Sequence, residues 1–167
     1  MSQRLDYYKQ SPELAKKLYE LSEAVKKGSL GNTLLDLVNI RASQLNGCAF
    51  CLDMHCKEAK IHGEQELRIY HVSIWRESPL FSNAERAALE WTEAVTKLSE
   101  HGVPDEIYDR VRAQFSEKQI LELTFAIGVI NIWNRLNISF RTVPGSYDEM
   151  LGLTKAGLNY SPRSAKP

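Results

Sequence analysis

Three residues within a stretch of eight positions have the types and spacing for joint thiol chemistry. Cys48 and Cys51 are separated by two residues, and His55 follows four positions after Cys51. If a helix begins near Cys48, all three side chains lie along one face, because residues three, four and seven positions apart are neighbours on a helix. Cys56 falls about 140° from Cys51 around such a helix. We expect Cys56 to be an ordinary buried thiol that packs like a small hydrophobic residue.

A pair of thiols at a helix start is suited to redox chemistry. The helix dipole and the free backbone N–H groups stabilise a thiolate, and Cys-X-X-Cys pairs often have depressed thiol pKa values. A histidine one turn further on can accept a proton from a thiol or return one to a leaving group. When a peroxide oxidises one thiolate to a sulfenic acid, the second thiol converts it to a disulfide, which an external dithiol can reduce. The spacing alone does not decide which cysteine attacks.

Two other interpretations of these residues stay open. Cys48, Cys51 and His55 could bind zinc, but a structural zinc site needs a fourth ligand and usually draws its ligands from separate segments. The cysteines could also be buried thiols without a chemical role. The Cys, Cys and His stripe at a helix start favours chemistry over packing, and we expect neither a metal nor a bound cofactor.

Capping signals divide the chain into helix-length segments. Ser82 with Glu85 and Ser116 with Gln119 have the spacing of capping boxes, and Gly47 is placed to end a helix. The predicted helical segments are 11–28, 32–47, 48–63, 64–75, 82–102, 104–115 and 116–141. The sequence therefore predicts an all-α protein, a bundle of about six or seven helices.

Composition limits the partners that we expect. Lys plus Arg and Asp plus Glu both number 21, so the formal net charge is zero, which gives no support for binding to nucleic acid or to an anionic membrane. The polar start lacks the apolar stretch of a signal peptide, and no run approaches the roughly 18 apolar residues of a membrane span. We therefore expect a cytoplasmic protein, a setting in which a permanent disulfide would not persist. The wide apolar surface of segment 116–141 suggests a subunit interface.

The segment RASQLNGCAFCLDMH at 41–55 resembles the signature of the carboxymuconolactone decarboxylase and alkylhydroperoxidase D (AhpD-like) superfamily. FAIGVINIWNRLNISFR at 125–141 resembles the second characteristic block of that superfamily, a long helix. The resemblance covers about residues 12–145. It implies one AhpD-like domain over 1–167, with a C-terminal tail at 146–167, which assembles into trimers or hexamers with the cysteines near a subunit interface.

The resemblance also implies roles for individual residues. In the peroxidase branch the two cysteines cycle between dithiol and disulfide, with Cys51 as the attacking thiolate and Cys48 as the resolving thiol. His55 joins a proton relay with a glutamate twelve residues before the first cysteine, a position that holds Asp36 here. Phe50 is a second departure, since the characterised peroxidase has a histidine between the cysteines.

The expected function is therefore a thiol peroxidase that reduces small hydroperoxides and is restored by a dithiol reductant of unknown identity. One alternative is a decarboxylase-like enzyme that acts on another small molecule. Another is a redox-sensing or zinc-binding helical module.

Overall fold

The computed structural model describes residues 2–158, and this part of the chain is helical throughout, without a β-strand. The prediction of an all-α fold is confirmed. Its α-helices are α1 (Tyr7–Gln10), α2 (Pro12–Lys26), α3 (Asn32–Asn46), α4 (Ala49–Ile61), α5 (Glu66–His71), α6 (Asn83–Thr96), α7 (Asp105–Arg112) and α8 (Glu117–Phe140). Two short 3-10 turns lie at Val72–Ile74 and Leu153–Ala156.

Both predicted capping boxes are present. The Ser82 hydroxyl accepts the backbone N–H of Glu85, and the Glu85 carboxylate accepts the backbone N–H of Ser82. Ser116 and Gln119 make the same reciprocal pair at the start of α8. These contacts satisfy N–H groups that a helix start would otherwise leave unpaired, which is why the local sequence fixes both starting points.

The segment 64–75 differs from the single helix that was predicted. The structure has the short α5 and then the 3-10 turn Val72–Ile74. Ile69, Val72 and Trp75 are buried, and they are spaced by three residues. A 3-10 turn aligns residues three apart, whereas in an α-helix they are offset by about 60° around the axis. Packing against the core therefore decides the local conformation here.

Helix α3 lies at the centre of the bundle and packs against α4, α6 and α8. Its side chains at Leu37, Val38, Ile40 and Ala42 are fully buried. Helix α8 packs against α2, α3, α4, α6 and α7. Because α4 lies against both α3 and α8, the cysteines at its start are held between the two most extensively packed helices.

The folded unit extends beyond the predicted core of 12–145 at both ends. Tyr7 on α1 is buried and donates a hydrogen bond from its hydroxyl to the Asn137 side chain of α8, at 3.0 Å. Asp148 accepts a hydrogen bond from Lys57 of α4, at 2.7 Å. The first part of the predicted tail thus packs onto the bundle, and residues 159–167 lie outside the described residues.

No helix within residues 2–158 combines the length and the apolar character that crossing a membrane requires.

Candidate active site

The turn between α3 and α4 places both cysteines. Gly47 ends α3 with a φ of 69°, a left-handed conformation that is strained for residues with a side chain. Cys48 follows as the N-cap residue of α4, and its sulfur accepts the backbone N–H of Cys51 at 3.3 Å. The predicted helix start at Cys48 is confirmed, and the sulfur occupies the position where a capping oxygen usually lies.

The two thiols have opposite proton affinities. Hydrogen bonds from the Cys51 thiol and from the backbone lower the pKa of Cys48, although its burial acts in the other direction. The interaction with Cys48 and its own burial raise the pKa of Cys51. Both cysteines are reduced and buried. Cys48 is therefore the thiol of the pair that ionises more readily, and Cys51 holds its proton more tightly.

Asparagines of α8 hold the pair from the opposite side. The Asn137 amide donates a hydrogen bond to the Cys51 sulfur at 3.4 Å, and its oxygen accepts one from the Tyr7 hydroxyl. Asn134 is fully buried and donates to the Ser43 hydroxyl of α3 at 3.2 Å. These contacts place amide dipoles beside the sulfurs without adding a charged group. Asn137 was not predicted from the sequence, because its contact with Cys51 joins residues 86 positions apart.

One turn after the cysteines, His55 begins a chain of three polar residues. The Nδ1 atom of His55 lies 2.7 Å from a Glu58 carboxylate oxygen, and Lys26 of α2 lies 3.0 Å from the other oxygen. Burial raises the pKa of Glu58, but the interactions with His55 and Lys26 outweigh it and lower the pKa to about 2. The Nε2 atom of His55 is buried and has no hydrogen-bond partner among the described residues. His55 is thus oriented through one nitrogen and free to exchange a proton through the other.

Asp36 contacts a different residue from His55, the partner that the resemblance implies. Its carboxylate is buried and pairs with Nδ1 of His62 at 2.7 Å. Burial raises the pKa of Asp36, and the hydrogen bond from His62 opposes that shift. The direct carboxylate partner of His55 is Glu58, which was not predicted from the sequence. Its position three residues after His55 on the same helix was the signal that could have identified it.

A cavity of about 110 Å³ adjoins this group, and Cys51, His55 and Glu58 line it. Most of the remaining wall is apolar, with the aromatic side chains of Tyr7, Tyr8, Phe50, Trp133 and Tyr147. The space exceeds that needed for one water molecule several-fold. It can therefore hold a small organic molecule against the Cys51 thiol.

The C-terminal segment closes part of this cavity. Tyr147 and Met150 line it, and the Tyr147 ring packs edge-on against Phe50 with 5.6 Å between ring centroids. Lys57 of α4 is 1% exposed and bonds to Asp53 and Asp148, each at 2.7 Å. Burial lowers the pKa of Lys57, but the two carboxylates outweigh it and raise the pKa overall. A buried ion pair thus fastens this segment to the helix that carries the cysteines.

Cys56 is separate from the pair, as the helical geometry predicts. It packs against the apolar cluster that includes Leu37, Ile40 and Ala59, and burial raises its pKa to about 11. Within residues 2–158, no group of three or more His, Cys, Asp or Glu side chains is arranged to hold a metal ion.

Comparison with known proteins gives matches that cover most of the chain. The sequence model of the carboxymuconolactone decarboxylase family matches residues 12–94. The uncharacterized protein YdfG of Bacillus subtilis (strain 168) is 44% identical over 139 residues, which are 83% of this chain and 95% of YdfG.

Solved structures show the same fold. Protein ATU0492 of Agrobacterium tumefaciens, a protein of unknown function with a suggested AhpD role in antioxidant defence, is 44% identical with a TM-score of 0.83. The match covers 86% of this chain and 98% of ATU0492. An uncharacterized peroxidase-related protein of Ralstonia eutropha JMP134, described as an alkylhydroperoxidase AhpD core, has a TM-score of 0.74 at 17% identity, over 83% of this chain and 74% of that one. At that identity the likeness concerns the fold alone.

Proposed function

This chain belongs to the carboxymuconolactone decarboxylase family, and we propose that it is a peroxidase of the AhpD type that reduces organic hydroperoxides through Cys48 and Cys51. The observation that carries the proposal is the arrangement of charge and access at α4. Cys51 and His55 line one cavity, and hydrogen bonds at the start of α4 lower the pKa of the neighbouring Cys48 thiol.

In the oxidative step, Cys51 attacks the hydroperoxide. Because the pKa of Cys51 is raised, its proton must first pass to a base, and Nε2 of His55 is free to accept it. The Cys51 sulfur then bonds to the outer peroxide oxygen and the O–O bond breaks. The leaving alkoxide takes the proton from His55, so the products are an alcohol and a sulfenic acid on Cys51. Glu58 stabilises the protonated imidazole between the two proton transfers.

In the second step, Cys48 resolves the sulfenic acid. Its lowered pKa favours the thiolate, which is the form that attacks sulfur. A Cys48–Cys51 disulfide forms, and hydroxide leaves and takes a proton to become water. Two electrons have passed from the two sulfurs to the peroxide, and an external thiol reductant must restore them.

The cavity supports an organic hydroperoxide over hydrogen peroxide as the substrate. Its wall is mostly apolar, and aromatic side chains form much of it. Transfer of a phenyl-sized group from water into such a site contributes roughly 1.5–3 kcal/mol. A substrate with an aromatic or alkyl group gains this contribution, whereas hydrogen peroxide does not.

Asp36 enters the proposal through its charge. Asp36 lies near enough to His55 and Glu58 for both residues to influence the pKa of Asp36. The hydrogen bond of the Asp36 carboxylate, however, is with His62. We assign Glu58 as the residue that positions His55, and Asp36 as a secondary contributor to the same proton relay.

Replacement of the two cysteines tests the proposal. Both Cys48→Ser and Cys51→Ser should abolish hydroperoxide turnover with a dithiol reductant, whereas Cys56→Ser should retain it. The Cys48→Ser variant should still form one sulfenic acid, on Cys51, which a dimedone-type reagent traps. Turnover like that of the wild type in Cys48→Ser or Cys51→Ser, or after alkylation of both thiols, would contradict the proposal.

We also propose that the chain forms a homo-oligomer through α8. Leu121, Phe125 and Ile132 are 63%, 59% and 46% exposed, and with Gly128 they follow one face of the helix. A second copy that packs on this face would bury them. Sedimentation should show an oligomer for the wild type and a smaller species for Phe125→Glu, and a monomeric wild type would contradict this assignment.

A further inference from the structure

A second cavity lies at the start of α4. Cys48 lines this cavity, but Cys51 does not. Its volume is about 490 Å³, which is within the range of small-molecule sites. The wall consists of the turn from Gly47 to Phe50 and of the end of α8 with the segment that follows, residues 137–144. The two cysteines of the pair therefore line two different cavities, one narrow and apolar and one wider.

Two polar side chains in the second cavity lack partners. Arg141 lines the cavity, and within residues 2–158 its guanidinium forms no ion pair. Thr142 also lines it and is 6% exposed, yet its hydroxyl has no hydrogen-bond partner among the described residues. Arg141 therefore offers a positive charge at the surface of the cavity, whereas the Thr142 hydroxyl lies beneath that surface.

Arg141 is held beside Cys48 by the backbone. It is the C-cap of α8 with a φ of 54°, the sole residue other than glycine with a positive φ among the described residues. Thr142 then turns back so that its N–H bonds to the Asn137 carbonyl at 3.0 Å. This left-handed turn follows directly on a helix that already contacts the cysteine pair through Asn137, and the residues after it, 142–144, line the cavity.

We propose that the second cavity is the site at which the reductant binds, and that it selects a small thiol carrying a carboxylate or a comparable negative charge. The proposal rests on the dithiol–disulfide cycle proposed above. Arg141 pairs with the anionic group, and the thiol reaches the Cys48 sulfur of the disulfide. The hydroperoxide and the reductant thus use separate cavities on the two sides of one disulfide.

Reduction of the Cys48–Cys51 disulfide takes two thiol–disulfide exchange steps. The reductant thiol ionises and its sulfur bonds to the Cys48 sulfur, so the Cys48–Cys51 bond breaks and the Cys51 sulfur takes up the released proton. A second reductant thiolate attacks the reductant sulfur of the mixed disulfide. Cys48 leaves as a thiolate, which its lowered pKa favours, and the proton of the second thiol goes to solvent. Two reductant thiols become one disulfide and supply the two electrons.

The test measures the reductive half-reaction alone. The Cys48–Cys51 disulfide is formed with diamide in place of hydroperoxide, so the result does not depend on peroxide chemistry. Its reduction is then followed with 3-mercaptopropionate and with 3-mercaptopropionamide, which differ in charge and little in size. Rates are compared at equal thiolate concentration, since the two thiols ionise to different extents.

The wild type should be reduced about threefold faster by the carboxylate, the factor that an ion pair of roughly 0.7 kcal/mol with the exposed Arg141 provides. Arg141→Gln should bring the ratio close to one and Arg141→Lys should retain part of it. Arg112→Gln removes an exposed arginine from α7 and should keep the wild-type ratio. Half-molar salt should reduce the wild-type preference.

Equal ratios in the wild type and Arg141→Gln would overturn the proposal, and so would a preference that salt does not change. These results would leave the proposed peroxidase function intact if hydroperoxide still oxidises the pair. Failure of hydroperoxide to oxidise a pair that diamide does join would instead contradict the peroxidase and leave the thiol preference measurable.

Discussion

The Nδ1 atom of His55 lies 2.7 Å from the carboxylate of Glu58, one turn further along the same helix. This contact leaves Nε2 of His55 as the nitrogen that can exchange a proton, in a cavity that Cys51 also lines. The arrangement is comparable to carboxylate–histidine–nucleophile triads, in which the carboxylate fixes the histidine tautomer and stabilises the charged ring. Glu58 should therefore matter to turnover through its effect on the imidazole.

Glu58→Gln should lower kcat/KM for hydroperoxide by about 10- to 100-fold, because the neutral amide stabilises protonated His55 less well. Asp36→Asn should lower it by less than about threefold, since its direct partner is His62. Steady-state kinetics across pH 5–9 measure both effects. A larger loss for Asp36→Asn than for Glu58→Gln would reassign the partner of His55.

Glu58 should also make the stability of the protein depend on pH. Its pKa falls from 4.5, the value of an unperturbed glutamate, to about 2 in the folded protein. The stabilisation is therefore present above pH 4.5 and is lost as pH falls towards 2. Between pH 5 and pH 3 the free energy of unfolding should drop by about 2 kcal/mol through this group.

The total drop between the two pH values, measured by urea unfolding, should be smaller by about 2 kcal/mol in Glu58→Gln than in the wild type. Glu20→Gln replaces an exposed glutamate on α2 and should keep the wild-type dependence. The same slope in the wild type and in Glu58→Gln would contradict the assignment.

Cys48 should be the most reactive thiol of the reduced protein. Its pKa is lowered, whereas those of Cys51 and Cys56 are raised, and the thiolate is the nucleophilic form. Brief treatment with iodoacetamide at pH 7, followed by peptide mass mapping, should find label mainly on Cys48. Cys51→Ala removes the thiol hydrogen bond but keeps the backbone N–H, so Cys48 should react more slowly in that variant. Preferential labelling of Cys51 in the wild type would reverse the assignment of charge.

Asp148→Asn should loosen the segment that covers the first cavity. The change leaves Lys57, which is 1% exposed, with Asp53 as its one remaining carboxylate partner among the described residues. We expect a loss of about 1–3 kcal/mol in the free energy of unfolding and a higher KM for an aromatic hydroperoxide. Glu149→Gln changes the exposed neighbour and should alter stability by less than about 0.5 kcal/mol. Equal effects of the two substitutions would show that the buried ion pair does not fasten the segment.

Local sequence signals predicted the helix ends, which local interactions determine. Gly47 ends α3 and Cys48 begins α4 because both events depend on residues within one turn, and the capping box at Ser116 follows the same rule. The helix period alone was enough to predict that Cys48, Cys51 and His55 lie on one face of α4.

Contacts between distant segments could not be predicted in this way. Asp36 and His62 are 26 positions apart, and Lys57 and Asp148 are 91 positions apart. Periodicity assigns a face to each of these residues but does not reveal which side chain meets which across a helix interface. The difference in pKa between the two thiols depends likewise on the N-cap geometry at Cys48 and on the burial of Cys51, so spacing alone left the order of the cysteines open.

A count of free thiols before and after one equivalent of an aromatic hydroperoxide tests the central claim most directly. The chain has three cysteines, and the proposed cycle predicts that two thiols per chain disappear. Mass spectrometry should then find a Cys48–Cys51 disulfide with Cys56 still free, and a dithiol should restore all three thiols. No loss of thiols, or a loss that involves Cys56 in place of either partner, would contradict the cycle.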